Sequence, residues 1–178
     1  LGDLGAEVIK LEPPGGDPSR TMGPGRDGTS GVFHGVNRGK RSVVADLRTD
    51  VGRRVLSELL GWADVVVLNQ LPSVRQKLGI DQATLDRDHP SIVSVAVSTF
   101  GDTGPLAGRP GIDPVAQALA GFMAVTGPRG GDPTKAGPPV ADATASLLVA
   151  VGALAALLHR TSSGRGQHVE VALIDGLV

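Results

Sequence analysis

Among the residues able to do chemistry, Asp142 stands out: it follows a Gly-Pro-Pro loop and opens a long apolar run, ADATASLLVAVGALAALLHR. Its placement predicts the N-cap of a buried helix, and two readings follow. An ordinary capping aspartate is worth about 1 kcal/mol through its bond to an early helix amide. A carboxylate held ionised by helix amides and dipole, and aimed at an electrophilic carbonyl, is a nucleophile. Spacing alone does not choose between them. The other candidates are weaker. His34, His89, His159 and His168 lack metal-ligand spacing and read as surface or capping residues. GVNRGKRS resembles a phosphate loop only superficially, because three residues separate its glycines and Arg41 follows Lys40 where a hydroxyl is needed. Glu12 stands where a dinucleotide-binding unit would place its ribose carboxylate, but the Pro-Gly loop directly after it argues against that assignment.

The elements around these residues alternate. EVIKLE (7–12) reads as a strand stopped by PPGGDP, and residues 13–38 as a long loop of functional length. SVVADL (42–47) is a second strand, after which Thr49-Asp50 caps a helix carrying Val51, Val55, Leu56, Leu59 and Leu60 and ending near Gly61. ADVVVL (63–68) is a continuous apolar run suited to a parallel strand, with Asn69 at its carboxyl end. Short helices around 74–78 and 82–87 lead to a strand at 92–98, and DPVAQALAGFM (113–123) reads as an amphipathic helix with Pro114 in its first turn. The apolar helix from Asp142 is expected to be central and buried, with His159 and Arg160 in its last turn, before a final strand at 168–173. This order predicts an α/β fold with a mostly parallel sheet flanked by helices, its ligands beyond the carboxyl ends of the strands.

Composition removes several functions. Lys plus Arg is 17 and Asp plus Glu 18, a net charge of −1, which disfavours nucleic acid as a partner. Cysteine is absent, which excludes disulfides, thiolate metal sites and cysteine nucleophiles. The aromatic residues are Phe33, Phe100, Phe122 and Trp62, too few for base-stacking surfaces. The longest apolar run, 147–158, is short of a membrane span, so no membrane partner is expected. No secretory leader is recognised, and a cytoplasmic location is expected. The start, LGDLGAEVIKLE, reads like the interior of a domain.

Four blocks carry a resemblance: LGDLGAEVIKLEPPGGDPSR, NRGKRSVVADLRTDVGRRVLSELLGWADVVVLNQLPSVRQKLGI, STFGDTGPLAGRPGIDPVAQALAGFMAVTG and PPVADATASLLVAVGALAALLHRTSSGRGQHVEVALID. Together they resemble the family III coenzyme A transferases of the CaiB/BaiF type, the group of formyl-CoA transferase and carnitine CoA-transferase. The resemblance implies a Rossmann-like large domain, here without its first strand and C-terminal half, in a two-domain protein that forms an interlocked homodimer. It also implies CoA transfer from an acyl-CoA to a free carboxylic acid through an aspartyl-CoA thioester. Asp142 falls on the nucleophile, and no metal is required. For coenzyme A, the family pattern falls on Asn69, Arg48, Lys77, Leu78 and Ala45; arginine and lysine suit its phosphates. Lys40 and Arg41 are further candidates that acidic neighbours would otherwise occupy.

The same family includes α-methylacyl-CoA racemases, which use a histidine directly before the aspartate of the block that reads GRPGIDPV here. Ile112 stands at that place and carries no proton, which disfavours racemisation; it also replaces the tyrosine of many transferases. The alternatives kept open are a racemase or isomerase of the family, and a fragment that binds CoA or a nucleotide without turnover. The 178-residue piece by itself is expected to be inactive.

Overall fold

Glu12 explains how the first segment folds. In the computed structural model, which describes residues 1–178, Val8–Glu12 (β1) runs parallel to Lys40–Val44 (β4), with Val8 opposite Lys40 and Glu12 opposite Val44. The side chain of Glu12 is 1% exposed and its two oxygens collect four donors. Oε2 accepts from the Asp17 amide at 2.7 Å and from Arg20 Nε at 2.8 Å, while Oε1 accepts from Arg20 Nη2 and Ser42 Oγ, each at 2.7 Å. Arg20 also lies over the Phe33 ring, 4.0 Å from its centroid, and Lys10 pairs with Asp17 at 2.7 Å. The guanidinium of Arg20, helped by Ser42 and the Asp17 amide, overcomes burial and lowers the Glu12 carboxyl to about 2. A carboxylate so fully engaged has no oxygen left for a ribose, which removes the dinucleotide reading of Glu12.

The same network orders residues 13–38, which form regular elements where one long loop is expected. Asp17 caps a 3-10 turn, Pro18–Thr21. Gly25–Arg26 (β2) and Thr29–Ser30 (β3) make a two-residue hairpin in which Asp27 and Gly28 have φ of 53° and 75°, the left-handed pair that an Asp-Gly turn supplies. Ser30 then caps Gly31–Val36 (α1) by accepting from the Phe33 amide at 3.0 Å. After β4, Asp50–Trp62 (α2) is capped by Thr49 Oγ1, which accepts from the Gly52 amide at 3.1 Å. Leu56 and Leu60 are buried, whereas Val51 is exposed. Contacts divide the chain within α2 into two units, Leu1–Leu59 and Leu60–Val178.

The second unit is built on a parallel sheet in the order β5-β6-β7, formed by Val65–Leu68, Val93–Ser98 and His168–Ala172. Pro72–Leu78 (α3) and Gln82–Asp88 (α4) connect β5 to β6; Asp113–Leu119 (α5) and Val140–Ser163 (α6) connect β6 to β7. The chain is therefore α/β with parallel sheets and helical crossovers, as the sequence pattern predicts. The expected helix 113–123 is shorter than predicted: it stops at Leu119, Gly121 takes φ 76°, and Phe122–Ala124 is a separate 3-10 turn.

The helix α6 departs from expectation in two respects. It starts at Val140, so Asp142 is its third residue rather than its cap. It is also buried along one face only. Ala141, Ala145, Ala153 and Ala156 are buried, and Gly152 is close enough to β7 that a Cβ there would lie 2.7 Å from Val169 Cγ1. Leu147, Val151, Leu154 and Leu158 form an exposed stripe at helical spacing. Small residues let the helix approach the sheet closely, which leaves the larger apolar side chains outside. At 24 residues with mean hydropathy 1.9 over its best window, α6 is long and apolar enough to cross a membrane. Its packing through alanines onto β6 and β7 identifies it here as a sheet-covering helix.

Candidate active site

The first turn of α6 needs partners for its leading amides, and the preceding residues cannot supply a capping side chain, since Pro139 occupies the cap position. The partner comes from α5. Asp113 Oδ1 accepts from the Ala141 amide at 2.7 Å and from the Asp142 amide at 3.3 Å. Asp113 Oδ2 accepts from Gln117 Nε2 at 2.6 Å, one helical turn on, and Gln117 Oε1 accepts from the Ala136 amide at 2.9 Å. Asp113 is 5% exposed and Gln117 0%, so this polar chain lies inside the protein with its hydrogen bonds made.

With Asp113 serving as cap from 29 residues away, the Asp142 side chain makes no hydrogen bond or ion pair. It remains open to solvent at the mouth of the apolar helix. Partial burial, and then the negative charge of Asp113, push its carboxyl above the ordinary aspartate value. Such a group, with both oxygens unengaged, has the lone pairs and freedom that attack on a carbonyl requires. Asp113 thereby overturns the capping reading of Asp142, and with it the expectation that helix amides hold the Asp142 carboxyl ionised, since those amides bond to Asp113 and the Asp142 pKa is raised.

The loop between β6 and α5 delivers Asp113. Gly101 donates its amide to Ser98 Oγ at 2.9 Å, and Asp102 pairs with the buried Arg75 of α3 at 2.5 Å. The Asp102 amide also donates to Glu170 of β7. At the far end, a Cβ on Gly111 would lie 2.6 Å from Thr99 Cγ2, so only glycine lets the loop return to the end of β6. Ile112, which follows, is exposed. His168, expected at the surface, is half-buried in β7. It shares a 2.7 Å hydrogen bond with Ser94 Oγ, and burial followed by the charge of Arg75 lowers its pKa.

The remaining predicted contacts are distributed over both units. Asn69 lies exposed directly after β5, at the carboxyl end of the sheet, and Lys77 and Leu78 occupy the last turn of α3, Lys77 exposed and Leu78 half-buried. None of these three side chains bonds to Asp142. In the first unit, Ala45 is buried just after β4, and its amide donates to the Glu12 carbonyl at 3.0 Å. Arg48 grips Asp46 with two bonds of 2.8 Å, so its guanidinium is not free as the structure stands. Arg41 pairs with Glu7, and Lys40 donates to the Val36 carbonyl at 2.8 Å and Asn37 Oδ1 at 3.2 Å. Asp113 and Gln117 are the site residues that sequence reasoning passed over. Their signal is a polar pair four residues apart in an otherwise apolar helix.

Comparison with known proteins decides the family, because the profile described as CoA-transferase family III matches residues 1–178. The chain belongs to CoA-transferase family III. It is 40% identical to succinate–glutarate CoA-transferase of Agrobacterium fabrum, over 98% of this chain and 46% of that protein. It is 36% identical to the human succinyl-CoA:glutarate CoA-transferase, over 100% of this chain and 41% of that protein. Among solved structures, a CaiB/BaiF family protein from Brucella suis superposes with a TM-score of 0.94 at 39% identity, over 98% of this chain and 48% of that one. The chain thus spans about half the length of the relatives it matches.

Proposed function

We propose that the protein carrying this chain transfers coenzyme A from an acyl-CoA to a free carboxylic acid, with Asp142 as nucleophile. The observation that carries this reading is the unengaged Asp142 carboxylate in the first turn of α6, its capping role taken over by Asp113. An Asp142 oxygen attacks the thioester carbonyl, the C–S bond breaks, and CoA thiolate leaves an acyl-aspartyl anhydride. The thiolate then attacks the Asp142 carbonyl, expels the donor acid as its carboxylate, and forms an aspartyl-CoA thioester. The acceptor carboxylate enters by the same two steps in reverse, which restores Asp142. No electrons or net protons are exchanged with an outside reagent. Coenzyme A is a substrate throughout, with Asn69, Lys77, Leu78, Ala45 and Arg48 as its proposed contacts; Arg48 must exchange Asp46 for a phosphate.

Dicarboxylic acids are the proposed substrate class, supported by relatives named for succinate, glutarate and mesaconate. An interlocked homodimer belongs to the same proposal, and the exposed stripe of Leu147, Val151, Leu154 and Leu158 offers it an apolar surface to cover. With succinyl-CoA and glutarate, the full-length D142N variant should lose about 10⁴-fold or more in kcat. Transfer at the normal rate by folded D142N overturns the reading.

A further inference from the structure

We propose that Asp113 and Gln117 are positioning residues that set the active geometry of Asp142, a role that rests on Asp142 being the nucleophile. The chain of donors has a fixed direction. The Ala136 amide can only donate, so Gln117 must turn Oε1 toward it and Nε2 toward Asp113. Asp113 then receives Gln117 on one oxygen and the Ala141 and Asp142 amides on the other, so it acts as an acceptor at both. A carboxylate alone meets all three donors. The result fastens three segments together: the loop at Ala136 that leads into α6, the first turn of α5, and the first turn of α6.

Three consequences for Asp142 follow. Its backbone is held directly, since its own amide is one of the bonds, and its side chain is released from capping duty. In addition, the Asp113 charge opposes the charge on Asp142. That repulsion disappears whenever Asp142 is converted to an uncharged anhydride or thioester, so the pair favours covalent capture over the resting carboxylate. None of these effects requires Asp113 to touch a substrate.

The polarity of the chain supplies its own test. In D113N an amide faces the Gln117 amide donor, and flipping Gln117 would set a donor against the Ala136 amide; one bond is lost either way. In D113N/Q117E the pattern closes again: the new amide at position 113 accepts from α6 and donates to the new carboxylate at position 117, which in turn accepts from the Ala136 amide. In the full-length protein, D113N should lower kcat about 100-fold, the cost of a small misplacement of a reacting group, with KM for acyl-CoA little changed. D113N/Q117E should recover most of that loss. Folded D113N with undiminished kcat, or a double variant no better than D113N, overturns the proposal. If D113N does not fold, the double variant carries the comparison. Amide hydrogen exchange in the unaltered protein reads the cap without mutation: slow exchange at Ala141 and Asp142 is expected, and exchange at the open-chain rate contradicts it. D142N separates the two readings. Turnover by D142N overturns the nucleophile reading, whereas an inactive D142N beside a fully active D113N overturns only the positioning role.

Discussion

Glu12 and Asp142 are two carboxylates with opposite surroundings, and the difference assigns their work. Glu12 is buried with four donors and Arg20 as its principal counterion, so its pKa falls from 4.5 to about 2. A folded pKa below the unfolded one gives stability that is fully present above about pH 4.5 and lost as the pH falls toward 2. Removing the counterion by R20A strands the carboxylate, which is the costly way to break such a pair. We expect R20A to unfold at a clearly lower denaturant concentration than the parent at neutral pH. The gap should narrow as the pH falls toward 2, where Glu12 takes up its proton in both proteins. Equal midpoints at neutral pH would contradict the assignment. Asp142 has no donors, and a raised pKa. The sequence singled out Asp142 as a carboxylate at a helix start, but its separation from the cap was not legible there. The cap comes from Asp113, 29 positions earlier, and only tertiary packing brings the two together.

Among the elements, α6 shows what periodicity withholds. Its composition is apolar nearly all round, so helix type was readable but its buried face was not. That face is chosen by size: alanines and Gly152 meet the sheet, and leucines face outward. Gly152 is therefore a contact residue despite its poor helix propensity. G152A gains about 1 kcal/mol in propensity but forces a methyl against Val169 Cγ1, an overpacking cost of about 1–3 kcal/mol. We expect a net lowering of the thermal midpoint, and G152A/V169A should be less destabilised than the two single changes summed. Additive losses would show that the contact is not the cause. The segment 13–38 departs from the long loop its composition predicts for another reason. Its glycines and prolines signal turns, while the form of those turns is set by two local features, the Asp27-Gly28 hairpin and the Ser30 cap.

Across the whole molecule, the alternation of strand and helix was enough to predict a parallel α/β fold, and the four sequence blocks were enough to predict the family. Strand partners were not readable, because pairing is fixed by long-range packing rather than by local pattern: β1 takes β4, while β5, β6 and β7 form their own ladder. The parallel order nevertheless places Asn69 and the loop leading to Asp113 at the carboxyl ends of β5 and β6, where α/β folds present ligands. The proposed mechanism turns on a single group, the carboxylate of Asp142. The most direct test is to incubate the full-length protein with succinyl-CoA, reduce it with borohydride, and determine the mass of the peptide containing Asp142. Reduction of an aspartyl-CoA thioester converts that side chain to an alcohol, and this modified peptide is the predicted result. An unmodified Asp142 peptide from protein that is turning over would contradict the mechanism.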